Sequence, residues 1–128
     1  MKKIICFGTF DGLHKGHLNY FQQAKKLADY LVVVVARDEN VLKLKRHQPN
    51  FTEKQRLTAV KNSELVDEVI LGERKDKMAV IKKIKPNIIA LGYDQDESEE
   101  KLQKFFPNIK IVRLKPYHPE KYKSSILR

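Results

Sequence analysis

The chain has 128 residues, room for one domain with its own core and too little for two on a prior of roughly 100–200 residues per domain. Apolar residues make up 41% and charged residues 33%, and the longest apolar run, Tyr30 to Ala36, falls far short of the roughly 18 residues that span a bilayer, which excludes a membrane helix. A net charge of +10 is concentrated: residues 41–61 and 110–128 each hold six Lys/Arg against one acid, and the rest is balanced. Charge gathered in this way points to bound anions, phosphates above all.

The start, Met1 to Gly8, is basic and then apolar in the manner of a signal peptide, but Gly8 and Asp11 cut the apolar part short. It reads as a first strand over residues 2–7, and the expectation is a cytoplasmic protein, which a lone cysteine, Cys6, also fits. From His17 to Asp29, Leu18, Phe21, Ala24, Leu27 and Ala28 recur at helical spacing. Leu31 to Val35 is a β-branched run without alternation, as in a strand covered on both faces. Thr52-Glu53-Lys54-Gln55 reads as a capping box before a helix presenting Leu57 and Val60, with a short strand at Glu68 to Leu71. Met78, Ile81 and Ile84 mark a helix ending before Pro86, and a strand follows at Asn87 to Leu91. A helix around Glu99 to Phe106 and a strand at Lys110 to Leu114 complete the series. Strands alternating with helices predict an α/β fold, a five-stranded parallel sheet with helices on both faces. No repeat or linker divides residues 1–128, so a single domain is expected.

Ligands of open α/β sheets bind beyond the carboxyl ends of the strands, which directs attention to the loop after the first strand. That loop, Gly8-Thr9-Phe10-Asp11-Gly12-Leu13-His14-Lys15-Gly16-His17, fits neither a Walker A nor the Gly-x-Gly-x-x-Gly fingerprint. Zinc is poorly served too, because His14 and His17 lack a nearby third ligand. Phosphate suits it better. Gly16 allows close backbone approach where a helix begins, free N–H groups there favour phosphate oxygens, and His14 and His17 can face one phosphate from the loop and the first turn.

Gly8-Thr9-Phe10-Asp11 followed by His14-Lys15-Gly16-His17 resembles the G-T-F-D…H-x-G-H signature of the cytidylyltransferase-like nucleotidyltransferase family. Tyr93-Asp94-Gln95 and Ser124-Ser125-Ile126 extend the resemblance over essentially the whole chain. Ala36-Arg37-Asp38-Glu39 and Leu91-Gly92-Tyr93-Asp94-Gln95 look most like the archaeal-type FMN adenylyltransferases, or FAD synthases. The alternative within the family is the glycerol-3-phosphate cytidylyltransferases, whose late R-T-x-G-I-S-T-like motif is matched here only by Tyr122-Lys123-Ser124-Ser125-Ile126, without arginine or glycine. The tail also lacks the cysteines common in the archaeal FAD synthases.

The resemblance implies a Rossmann-like fold and an in-line attack by a phosphorylated acceptor on the α-phosphorus of a nucleoside triphosphate, with release of pyrophosphate. The expected pair is ATP with FMN, giving FAD, and the alternative is CTP with glycerol 3-phosphate. It further implies that His14 and His17 act on the triphosphate, that Lys43 and Lys45 neutralise phosphates, and that Thr9, Phe10, Asp11, Lys15, Gly16, Asp94, Tyr122, Ser124 and Ser125 form the nucleotide site. Arg46 is a further candidate for phosphate neutralisation, and Asp11 is expected to hold the loop. Mg²⁺ is expected to travel with the nucleotide on few protein ligands. A homodimer is compatible with the resemblance. A small basic nucleic-acid-binding domain is the reading from another class. Against it, the chain has neither an aromatic RNP-like strand nor zinc-finger spacing, and neither a nucleic acid nor a membrane is expected as partner.

Overall fold

In the computed structural model, which describes residues 2–45, 47–72, 77–92 and 98–115, the first two strands are β1 (Lys3–Gly8) and β2 (Tyr30–Val35). Both are apolar without alternation because both of their faces are covered. Ile4 and Cys6 of β1 and Leu31, Val33 and Val35 of β2 pack with Phe21 and Ala24 of α1 (Lys15–Leu27) and with Val60 of α3 (Glu53–Asn62). Ile5, Phe7, Val32 and Val34 face the other way, onto Val80 and Ile81 of α4 (Lys77–Ile84) and Leu102 of α5 (Glu99–Phe105). Each such side chain, fully buried, contributes roughly 1.5–3 kcal/mol relative to exposure.

β3 (Glu68–Leu71), β4 (Ile88–Leu91) and β5 (Lys110–Arg113) complete a five-stranded sheet in the order β3-β2-β1-β4-β5, every pair parallel. Gly8 lies opposite Val35 on one side of β1, and Cys6 lies opposite Ala90 on the other. The chain builds outward from β1 through β2 and β3, then returns to place β4 on the opposite flank of β1. The crevice beyond the carboxyl ends of β1 and β4 is therefore the switch point where such sheets bind ligands.

The fold agrees with the sequence reading except in detail. The segment after β2 forms a short helix, α2 (Asp38–Lys45), that periodicity does not announce: of its residues only Val41 is buried among those whose side chains are described. Its start is closed by tertiary structure, the Asp38 N–H donating to Glu53 Oε1 of α3 at 2.9 Å. α1 starts at Lys15 rather than His17, with His14 as its N-cap, and α5 is capped by Ser98. Thr52 and Gln55 form the expected capping box of α3. Among the described residues no helix is long and apolar enough to cross a membrane.

Asp67, just before β3, ties that strand to the core: its carboxylate accepts the Leu31 N–H at 2.7 Å and the Lys25 ammonium at 2.9 Å. Desolvation pulls this carboxyl upward, but the Leu31 amide and Lys25 outweigh it and hold it below its ordinary 3.8. A carboxyl depressed on folding adds stability that is complete above its unfolded value and is lost as pH falls through the folded one. Asp67→Asn is expected to melt below the parent at neutral pH, and the difference should vanish in acid, as followed by thermal unfolding across pH.

Candidate active site

The loop leaving β1 folds as it does because Phe10 is turned inward. Its backbone is left-handed, φ 56°, and its ring is 3% exposed, lying 5.4 Å from Phe21 and, edge to face, 5.2 Å from the His17 ring. A non-glycine residue held in that region costs energy and persists only where the surroundings over-determine it. Gly8 makes room for it: a Cβ there would stand 2.6 Å from Phe10 Cζ. Gly12, at φ 88°, supplies the second turn.

Asp11, 4% exposed, does not face solvent. Its Oδ2 accepts the Asn50 N–H at 2.8 Å and its Oδ1 the Phe51 N–H at 2.9 Å, so the carboxylate fastens the loop after β1 to the segment ahead of α3. Arg56 works from the other side. It is the largest fully buried side chain among the described residues, 1% exposed, and its guanidinium donates through Nη1 to the Thr9 carbonyl at 2.8 Å. Nη2 donates to Asp38 Oδ1 at 2.7 Å and Nε to the Phe51 carbonyl at 3.1 Å. Glu53 continues the network, accepting the Asp38 N–H and lying 3.6 Å from Arg37, whose Nε donates to the Gly72 carbonyl at 2.7 Å. Segments following β1, β2 and β3 are thereby fixed at one edge of the sheet.

At the end of the loop, the two histidines cap α1. His14 Nδ1 accepts the Gly16 N–H at 3.0 Å, and His17 Nδ1 accepts the His14 N–H at 3.2 Å, a capping box built from imidazoles. The rings stack with centroids 3.8 Å apart and planes 24° from parallel. With Nδ1 of each ring used as an acceptor, the ring proton resides on Nε2, which makes each ring a potential donor at a helix N-terminus, where backbone N–H groups already favour anions.

Of the residues singled out in the sequence, the structure brings together Thr9, Phe10, Asp11, His14, Lys15, Gly16 and His17 at the start of α1. Lys43 stands exposed on α2, with no contact to the histidines among the described residues, and Lys45 ends that helix with its side chain outside the described part. Arg46, Asp94, Tyr122, Ser124 and Ser125 lie outside the described residues. Arg56 and Phe51 were not singled out, and Asp38 entered only within Ala36-Arg37-Asp38-Glu39. Arg56 had a legible signal, since it lies four residues before Val60 and so on the core face of its helix, where a cation needs buried partners. Among the described residues no group of three or more His, Cys, Asp or Glu side chains could hold a metal ion.

A parallel sheet that delivers two capping histidines to its switch point defines a nucleotide-binding α/β transferase. Residues 5–128 match the family model described as cytidylyltransferase-like, and the chain belongs to that family. It is 50% identical over 105 residues to a FAD synthase of Ferroglobus placidus, covering 80% of this chain and 66% of that one. To a FAD synthase of Korarchaeum cryptofilum it is 46% identical, covering 99% and 90%. A crystal structure from Thermoplasma volcanium, described as a lipopolysaccharide core biosynthesis protein, superposes with a TM-score of 0.87 at 41% identity, covering 91% of this chain and 98% of that one.

Replacing Arg56 by Met leaves the Thr9 and Phe51 carbonyls without their donor, while the Asp38 side chain, 34% exposed, can turn to water, and a loss of about 1–3 kcal/mol is expected in denaturant unfolding. Gly8→Ala should leave the sheet intact but expel the Phe10 ring, read as increased amide exchange in the loop and at the start of α1.

Proposed function

We propose that this chain is an FMN adenylyltransferase, joining the AMP moiety of ATP to FMN with release of pyrophosphate. The observation that carries the reading is the stacked His14–His17 pair at the start of α1, in a chain that is similar over most of its length to the two FAD synthases described above. The comparisons lend no support to CTP and glycerol 3-phosphate as substrates.

The chemistry asks little of acid or base groups. A phosphate monoester has a second pKa of about 6 and is largely dianionic at neutral pH, so an FMN phosphate oxygen is already a nucleophile. It forms a bond to the α-phosphorus as the bond to the β-phosphate oxygen breaks and pyrophosphate departs. The difficulty is electrostatic, one anion approaching another while negative charge gathers on the leaving group. In this reading the Nε2–H groups of His14 and His17 donate to the triphosphate, and the Lys15 amide at the start of α1 adds the positive end of the helix. Lys43 and Lys45 neutralise phosphates from α2. Asp94, Tyr122, Ser124 and Ser125 complete the nucleotide site, with Mg²⁺ entering on the triphosphate as part of the substrate. A cytoplasmic location belongs to the same reading.

The direct test incubates the protein with Mg²⁺ and either ATP with FMN or CTP with glycerol 3-phosphate, and weighs the product. FAD with stoichiometric pyrophosphate is expected from the first mixture only, and product from the second alone would overturn the reading. Because the histidines both cap the helix and contact phosphate, their substitutions must be chosen to separate the roles. Asparagine is a good N-cap and glutamine a standard partner at the third helical position, so His14→Asn and His17→Gln preserve acceptors for the capping bonds. Both are expected to keep their melting temperature yet lose about 10²–10³ in turnover. Unchanged turnover would remove the histidines from the mechanism.

A further inference from the structure

Phe51 is an aromatic ring held out of the core at some structural expense. Its N–H is fixed by Asp11 and its carbonyl by Arg56, both of them buried charged side chains, yet the ring itself is 46% exposed. It forms one wall of a groove of about 520 Å³ that runs along α3. Phe10, Leu13 and Ala59 supply further apolar lining, and Lys54 and Gln55 supply polar groups. Gln55 uses its Oε1 to accept the Thr52 N–H, so its amide NH₂ remains as a donor, and no hydrogen bond or ion pair engages the Lys54 ammonium among the described residues. Among the described residues no acidic side chain lines the groove.

The groove shares a wall with the phosphate site. Phe10 lines it while its ring meets that of His17, and Leu13 lines it one residue before His14. A ligand seated there that carries a phosphate on an arm has the histidines beside it. A flat, apolar-faced ring system with acceptors along one edge matches what the lining offers: an aromatic face, aliphatic contacts, and an ammonium and an amide as donors. The volume lies within the range of about 300–1,000 Å³ usual for small-molecule sites.

Resting on the reading of the chain as an FMN adenylyltransferase, we propose that this groove is the acceptor subsite, and that it takes the isoalloxazine ring of FMN stacked on Phe51. Lys54 and Gln55 donate to the carbonyl and nitrogen acceptors of the pyrimidine edge. The ribityl arm then carries the FMN phosphate past Leu13 toward His14 and His17. Phe51 binds substrate and selects a flat aromatic acceptor over a small polyol phosphate.

The test measures FAD formation with the full chain, varying FMN and ATP separately, and follows flavin fluorescence on binding. Phe51→Ala is expected to raise the KM for FMN about tenfold or more while that for ATP stays within about twofold, and Phe51→Tyr should restore it. Ala59→Phe fills the groove from another lining position and should raise the FMN KM in the same way, which keeps the test decisive if Phe51→Ala unfolds. Wild-type protein should quench FMN fluorescence, and Phe51→Ala should not at the same concentration. An unchanged FMN KM in both variants overturns the proposal. So does a rise confined to ATP, which would place the adenine here. A loss of self-association with an unchanged FMN KM also overturns it, since the groove would then be a contact between copies. If the wild-type protein itself forms no FAD, the reading of the activity fails first, and that arm separates the two failures.

Discussion

A guanidinium taken fully out of water must find its partners or unfold the segment that carries it, and the placement of the site follows from how Arg56 meets that demand. Its partners are the carbonyl of Thr9 after β1, the carboxylate of Asp38 at the start of α2, and the carbonyl of Phe51 ahead of α3. None of these belongs to the core, and the arginine ties all three to one point. Asp11 reinforces the arrangement from within the loop by accepting two amides of the segment that Arg56 also holds. A sheet alone fixes where strands end. The buried ionic network turns those ends into a surface of fixed shape that carries two stacked histidines and an exposed phenylalanine.

Much of this was legible in the sequence, for identifiable reasons. The strands are fully covered and therefore continuous in apolar character, and the capping box at Thr52 and Gln55 uses local hydrogen bonds that depend on nothing distant. The His14 to His17 spacing likewise encodes a local object, one helical turn. What the sequence concealed depends on tertiary contact. α2 is short, and its cap comes from Glu53 on another helix. The spacing of Arg56 to Val60 marks it as facing the core, but its partners, at Thr9 and Asp38, lie many residues away and are not legible locally. Asp11 was expected to hold the loop, and its two oxygens do so by reaching residues 50 and 51, about forty positions along the chain.

The histidines carry a second lesson about economy of structure. Serine, threonine or aspartate would cap α1 adequately, but each would spend its polar group on the helix. Imidazole has two nitrogens on opposite sides of a rigid ring. One accepts from the backbone and fixes the ring; the other carries the ring proton. The stack between the rings, backed by Phe10 against His17, leaves neither of them much freedom to turn.

The position of β1 has a consequence for how the molecule responds to its ligands. It is the middle strand of five and is paired on both sides, so the Thr9 to His14 loop is anchored in the part of the sheet that opens only when the whole sheet opens. A ligand held by that loop therefore cannot stabilise the loop alone. Its binding energy is passed to the global unfolding equilibrium, and amides such as those of Cys6 and Val33, deep in the sheet and far from any phosphate, become reporters of occupancy.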